Sequence, residues 1–230
     1  MSFPTHREEV AALALRALNN MNLENKKGLI IFVRHGQTDW NTKGLMQGRE
    51  DIPLNETGLL QAKETAEGIK KACLDTGLTF DKIASSPLLR ASVTAEAIAK
   101  ELGCDNIFCD DRVTERDFGE LSGTPFTENS KYIMRDVLEI PTLEPVCDLV
   151  KRVDDFIKSH ASKDENLLVV THGAVTRIYA DNAKRYNNYE ITAPFLLNCH
   201  LVVYEYDGCD AYLRGYNIPS HGLGEFLEEK

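Results

Sequence analysis

Leu29-Ile30-Ile31-Phe32-Val33 is an unbroken apolar run of strand length, bounded by Gly28 on one side and by Arg34-His35-Gly36 on the other. A strand without polar alternation needs apolar cover on both faces, which places it inside a sheet flanked by helices. Leu167 to Val170 repeats the pattern, and Lys82 to Ser85 and Ile107 to Cys109 read as shorter strands. Between them the spacing predicts helices: Asn55 to Cys73 ending near Gly77, Pro87 to Leu102 ending at Gly103, Asn129 to Glu139, Val146 to His160, and Ala174 to about Arg185. Leu201 to Tyr206 and Tyr212 to Tyr216, joined through Asp207-Gly208, read as a hairpin adding an antiparallel edge. Strands alternating with helices imply an α/β fold, a three-layer α/β/α sandwich around a mostly parallel sheet.

No Gly/Ser-rich or Pro-rich stretch divides the 230 residues, so one catalytic domain is expected over residues 25–230. Residues 1–24 read as an amphipathic helical extension. Thr5 and Glu8 have capping-box spacing, and Val10, Leu13, Ala14, Ala17, Leu18 and Met21 share one helical stripe. That stripe packs either on the domain's own sheet or against a second copy as a homodimer. Glu8, Glu9 and Arg16 spoil a signal-peptide reading, and no apolar run approaches the ~20 residues needed to span a membrane.

A formal net charge of −10 argues against a sequence-independent nucleic-acid binder and against anionic membranes, both of which need a basic face. An anionic substrate must then be held by a few focused arginines. The six cysteines form no CxxC pair, which points to free thiols in a reducing compartment, the cytoplasm. Cys104 and Cys109 lack the second ligand pair that a metal site requires, so neither a metal nor another cofactor is expected.

Open α/β sheets bind ligands beyond the carboxyl ends of their strands. There the chain places Arg34 and His35 after the first strand, Arg90 one helical turn after the second, Glu115 after the third, and His172 after the fourth. Two histidines, two arginines and one acid at one edge suit phosphoryl transfer. Three equatorial oxygens need fixed donors, and guanidinium forks supply them. A neutral imidazole can attack phosphorus, and a second can donate to the phosphoryl oxygens. Gly36 is expected to let the backbone turn and approach the anion, and Gly173 opens a helix whose amides add positive potential. Burial and a nearby anion would keep Glu115 protonated until it protonates the leaving alkoxide.

These residues fall in motifs. Arg34-His35-Gly36-Gln37-Thr38-Asp39-Trp40-Asn41, Ser85-Ser86-Pro87-Leu88-Leu89-Arg90-Ala91, Thr114-Glu115-Arg116-Asp117-Phe118-Gly119 and Thr171-His172-Gly173 occur in that order. With them the chain resembles the histidine phosphatase superfamily, in its phosphoglycerate-mutase-like branch. The resemblance implies that fold, with His35 as nucleophile, Arg34, Arg90 and His172 binding the phosphoryl group, Glu115 as proton donor, and Asn41 assisting. It also implies a small phosphorylated metabolite as partner. Gln47-Gly48 stands where phosphatases of the family often carry Gln-Gly, and the stretch from Gly123 to His172 lacks the longer insertion that covers the site in the mutases. A phosphatase is therefore expected, acting through phospho-His35.

Three other readings stand beside it. A cofactor-dependent phosphoglycerate mutase would use the same residues, a metallohydrolase would use His35, Asp39, Asp51 and His172, and a non-catalytic phosphate-binding scaffold would keep only the fold. Lys131, Tyr132 and Arg135 are candidate readers of the leaving group, and Trp40 could stack on it. Arg177 reads as a salt-bridging helix residue, and His6, His160, His200 and His221 as surface or packing residues.

Overall fold

A computed structural model describes residues 27–127, 130–136, 140–185, 191 and 196–228, without the side chains of residues 131 and 132. The N-terminal amphipathic segment lies outside the described residues. The strands are β1 (Leu29–Arg34), β2 (Lys82–Ser85), β3 (Ile107–Cys109), β4 (Leu167–Thr171), β5 (Lys184–Arg185), β6 (His200–Tyr206) and β7 (Ala211–Pro219). The helices are α1 (Asp39–Thr42), α2 (Glu56–Thr76), α3 (Leu89–Leu102), α4 (Ser130–Ile133), α5 (Val146–His160), α6 (Gly173–Asn182) and α7 (Leu223–Glu228).

The strands form one seven-stranded sheet in the order β3-β2-β4-β1-β6-β7-β5. β1, β2, β3 and β4 are parallel, and β1 sits between β4 and β6, Phe32 pairing with Val169 on one side and Val202 on the other. Alternate β1 residues serve two cores. Ile30 and Phe32 pack toward Val153 and Phe156 of α5 and Val175 and Tyr179 of α6. Leu29, Ile31 and Val33 pack toward Ile69 of α2, Ile98 of α3 and Phe226 of α7. The fold is therefore the three-layer sandwich expected from the unbroken apolar run.

Four expectations are corrected. The closing pair is not an antiparallel edge: β6 lies inside the sheet, antiparallel to both β1 and β7, and β5 forms the margin. α6 stops at Asn182 instead of continuing to Arg185, because Lys184 and Arg185 pair with Tyr212 and Leu213 of β7. α3 starts at Leu89, two residues after Pro87, since Leu88 is extended. The loop after β1 contains a helical turn, α1, closed by a reciprocal capping box between Thr38 and Asn41.

α2 and α3 face the sheet with small residues, Ala62, Ala66 and Ala72 on one and Ala91, Ala95 and Ala99 on the other. The short side chains let the helices approach the strand ends closely, and Thr94 of α3 accepts the Gly36 N–H at 3.2 Å. The loop carrying the motif after β1 is thus fixed by a helix distant in sequence. Among the described residues no helix is long and apolar enough to cross a membrane. All six cysteines are free.

Candidate active site

The expected residues come from four strand ends. His35 follows β1, where its N–H donates to Thr171 O at 3.0 Å, so the two histidine-bearing strands are bonded at their tips. The His35 and His172 rings lie 5.2 Å apart, centroid to centroid. His35 Nδ1 is 2.6 Å from the Gly36 carbonyl. A carbonyl only accepts, so Nδ1 carries the proton and the lone pair is left on Nε2. Burial, then Arg90, then Arg34, hold the His35 pKa well below its ordinary value. The ring is a neutral base with one free nitrogen.

His172 is fully buried at the N-cap of α6. Its Nε2 lies 2.8 Å from Ser86 Oγ, and its Nδ1 has no hydrogen-bond partner. Burial and Arg90 lower its pKa too. Arg90, in the first turn of α3, donates from Nη1 to Glu50 O at 2.6 Å and from Nη2 to Gly48 O at 2.8 Å, while its Nε is unpaired. Gly48 is needed there because its φ is +53° and a Cβ would stand 2.7 Å from Ser122 Oγ. Arg34 donates from Nη1 to Leu196 O at 2.5 Å and leaves Nε unpaired. A Cβ on Gly173 would stand 3.2 Å from that Nε, so this glycine makes room for the guanidinium.

Glu115 is 7% exposed and faces the start of α6. Its carboxylate accepts the N–H groups of Arg116 at 2.9 Å, Val175 at 3.3 Å and Ala174 at 3.4 Å. Asn41 accepts through Oδ1 from Thr38 N, and from Asn198 Nδ2 at 3.3 Å. Gln47 is buried, with Oε1 unpartnered. Gly36 has a different task from the one expected. It is not among the glycines with positive φ; its backbone packs so closely on α2 that a Cβ would meet Gly58 O at 2.5 Å.

Arg34, His35, Asn41, Gln47, Glu115 and Gly173 line one cavity of about 420 Å³, whereas Arg90 and His172 are fully buried and do not line it, His172 lying against the ring of His35. Sequence reasoning missed Asn198, which donates to the His35 carbonyl at 2.9 Å, and Ser86. It also missed the apolar wall of Leu45, Phe118, Phe126, Met134 and Leu196. Both polar residues act through partners far away in sequence, a relation no local motif carries. Arg177 lines the cavity and is paired with Asp181 at 2.8 Å. Trp40 does not line it; its ring lies beside Gly123. Arg135 is exposed, and the side chains of Lys131 and Tyr132 lie outside those described. Asp51, a ligand in the metallohydrolase reading, caps the Leu89 N–H at 2.7 Å. No group of three or more metal-ligating side chains occurs among the described residues.

A parallel-sheet edge carrying two neutral imidazoles, two buried guanidiniums and a carboxyl group defines a class, the α/β enzymes that handle phosphoryl groups. Residues 30–219 match the family model of the histidine phosphatase superfamily (branch 1). The chain is 34% identical over 197 residues to the uncharacterized phosphatase PhoE of Bacillus subtilis, covering 85% of this chain and 97% of that protein. It is also 35% identical over 159 residues to a 2,3-bisphosphoglycerate-dependent phosphoglycerate mutase of Brucella ovis, covering 63% and 75%. Among solved structures, a mycobacterial glucosyl-3-phosphoglycerate phosphatase matches with a TM-score of 0.69 at 21% identity, over 83% of this chain and 98% of that one. A phosphoserine phosphatase of Entamoeba histolytica matches with a TM-score of 0.62 at 25% identity, over 82% and 96%. The chain belongs to the histidine phosphatase superfamily, in its phosphoglycerate-mutase-like branch, and is an enzyme of that phosphatase and mutase group.

Proposed function

We propose that this chain is a phosphatase that hydrolyses a small phosphomonoester through a phosphohistidine on His35. The observation carrying this reading is the free Nε2 of a neutral His35 at a cavity wall, with Nδ1 committed to Gly36 O and two buried guanidiniums beside it. Nε2 attacks phosphorus as the P–O ester bond breaks, and the leaving alkoxide takes a proton from the Glu115 carboxyl. Arg34, Arg90 and His172 hold the equatorial oxygens, and the Asn41 amide assists. Water, losing its proton to the Glu115 carboxylate, then displaces the phosphoryl group as inorganic phosphate.

Hydrolysis is favoured over return of the group to substrate by the short connection, since only residues 124–171 separate Gly123 from His172. The wall of Leu45, Phe118, Phe126, Met134 and Leu196 favours an uncharged leaving group, and Arg177 beside it is engaged by Asp181. One protein sample separates the alternatives. Wild type should release phosphate from alkyl phosphates and carry an acid-labile, base-stable phosphohistidine, and His35→Ala should lose both. Isomerisation of phosphoglycerate outpacing phosphate release would make the chain a mutase.

A further inference from the structure

His172 and Ser86 share one hydrogen bond, and its direction decides which face the ring shows to a phosphoryl group. Ser86 is fully buried directly after β2, and its N–H donates to Val170 O at 3.0 Å, which anchors it beside β4, the strand that His172 follows. Its Oγ accepts the Leu88 N–H at 3.3 Å, next to the start of the helix that carries Arg90. Among the described residues its other partner is Nε2 of His172, at 2.8 Å.

Two arrangements are open. If Nε2–H donated to Oγ, the serine proton would have no acceptor among the described residues, and Nδ1 would be a buried lone pair aimed away from any donor. A lone pair there opposes phosphoryl oxygens, which bring only lone pairs of their own. If the serine hydroxyl donates to Nε2, each proton of the pair is used. Nδ1–H is then left as a donor whose partner is absent until an oxyanion enters, in keeping with the unpaired state of that atom. The second arrangement uses the serine proton and offers a donor to a phosphoryl oxygen.

We infer that Ser86 is a positioning residue whose hydroxyl holds His172 as the Nδ1–H tautomer, and so keeps a hydrogen-bond donor in the phosphoryl site. The inference rests on the phosphoryl-transfer reading of the site. Because the His172 ring is neutral, it has a single proton, and the serine determines which nitrogen carries it. Ser86 also ties the two halves of the cradle together, since the same oxygen caps the Leu88 amide beside Arg90.

The test is nitrogen NMR of the full chain with ¹⁵N-labelled histidine, His172 being assigned by its loss in His172→Gln. Wild type should show a protonated Nδ1 and a bare Nε2 in that ring. Ser86→Ala should give a mixed or reversed tautomer and bind vanadate about tenfold more weakly, the size of one lost hydrogen bond. Ser86→Thr, which keeps the hydroxyl, should restore both. Protonated Nε2 in the wild type overturns the inference whether or not the variants fold, as does an unchanged tautomer in a folded Ser86→Ala. Ring protonation is read without turnover, so an Nδ1–H tautomer in a chain that releases no phosphate would defeat the phosphatase reading alone.

Discussion

Lowering the pH should destabilise this protein through the two buried histidines of its candidate site. His35 and His172 are both pushed well below the ordinary histidine value, by burial first and Arg90 second. Unfolded, each titrates near 6.5. Between that value and the depressed folded pKa the unfolded chain binds a proton that the native state refuses, so stability is complete above about pH 6.5 and falls as the pH drops. Each histidine sets a limiting slope of about 1.4 kcal/mol per pH unit. Each pH unit below about 6.5 therefore costs up to about 1.4 kcal/mol for one ring and about 2.8 kcal/mol for the pair. Urea unfolding, followed by the single tryptophan and by far-UV circular dichroism in phosphate-free buffer, measures the slope. His172→Gln removes one titrating ring and leaves every carboxylate in place, so its stability should fall less steeply below about pH 6.5, by up to about 1.4 kcal/mol per pH unit. Equal dependence in wild type and variant would refute the reasoning. The same depression moves the acid limb of the activity profile well below the ordinary histidine range.

Two further substitutions probe the site and its supports. Glu115→Gln should slow hydrolysis of alkyl phosphates by about 10²- to 10⁴-fold, and that of 4-nitrophenyl phosphate far less, because only the alkoxide needs the proton; equal losses on both would remove Glu115 as the acid. Arg116 is fully buried and donates to Glu144 O at 2.7 Å, to Ile133 O at 2.8 Å and to the Asp136 carboxylate. Arg116→Leu strips the donor from two carbonyls and leaves the Asp136 carboxylate only the Val146 N–H among the described residues, and should cost about 3 kcal/mol in urea unfolding.

The strand ends were legible because each breaks a rule visible in one dimension. Arg34-His35 and Thr171-His172 put polar groups directly after apolar runs, where a chain built only to pack would end in an ordinary turn. The three-layer architecture followed from the same runs. The placement of β6 did not, although Leu201-Val202-Val203-Tyr204 is almost as apolar as β1. Its hairpin with β7 is local, whereas its pairing with β1 joins residues far apart in the chain, and only the latter puts it inside the sheet. The start of α3 was hidden for a similar reason. The oxygen that caps the Leu89 N–H belongs to Asp51, so the boundary two residues past Pro87 is set by tertiary structure. β5 carries no period at all: Lys184 and Arg185 are both exposed and become a strand because β7 offers an edge.

The charge of the site links substrate binding to its acid–base state. The chain carries a formal −10, yet its candidate site holds two buried guanidiniums, Arg34 and Arg90, with Glu115 facing both and Asp51 facing Arg90. Burial lowers the pKa of Arg34 and Arg90, and Glu115 is the foremost charge opposing that shift in each. Those guanidiniums donate to backbone carbonyls of Leu196, Gly48 and Glu50, which orient them without neutralising them. Burial first, and the charges of Arg90 and Arg34 after it, hold the His35 ring unprotonated. A phosphoryl dianion offsets the guanidinium charge, so binding must raise the pKa of both histidines, and by linkage protonating either ring must tighten the binding of a dianion. Tungstate, a dianion across this range, should therefore bind more tightly as the pH falls toward the histidine pKa values, even as turnover through His35 declines. An affinity that stays flat while turnover falls would refute the linkage.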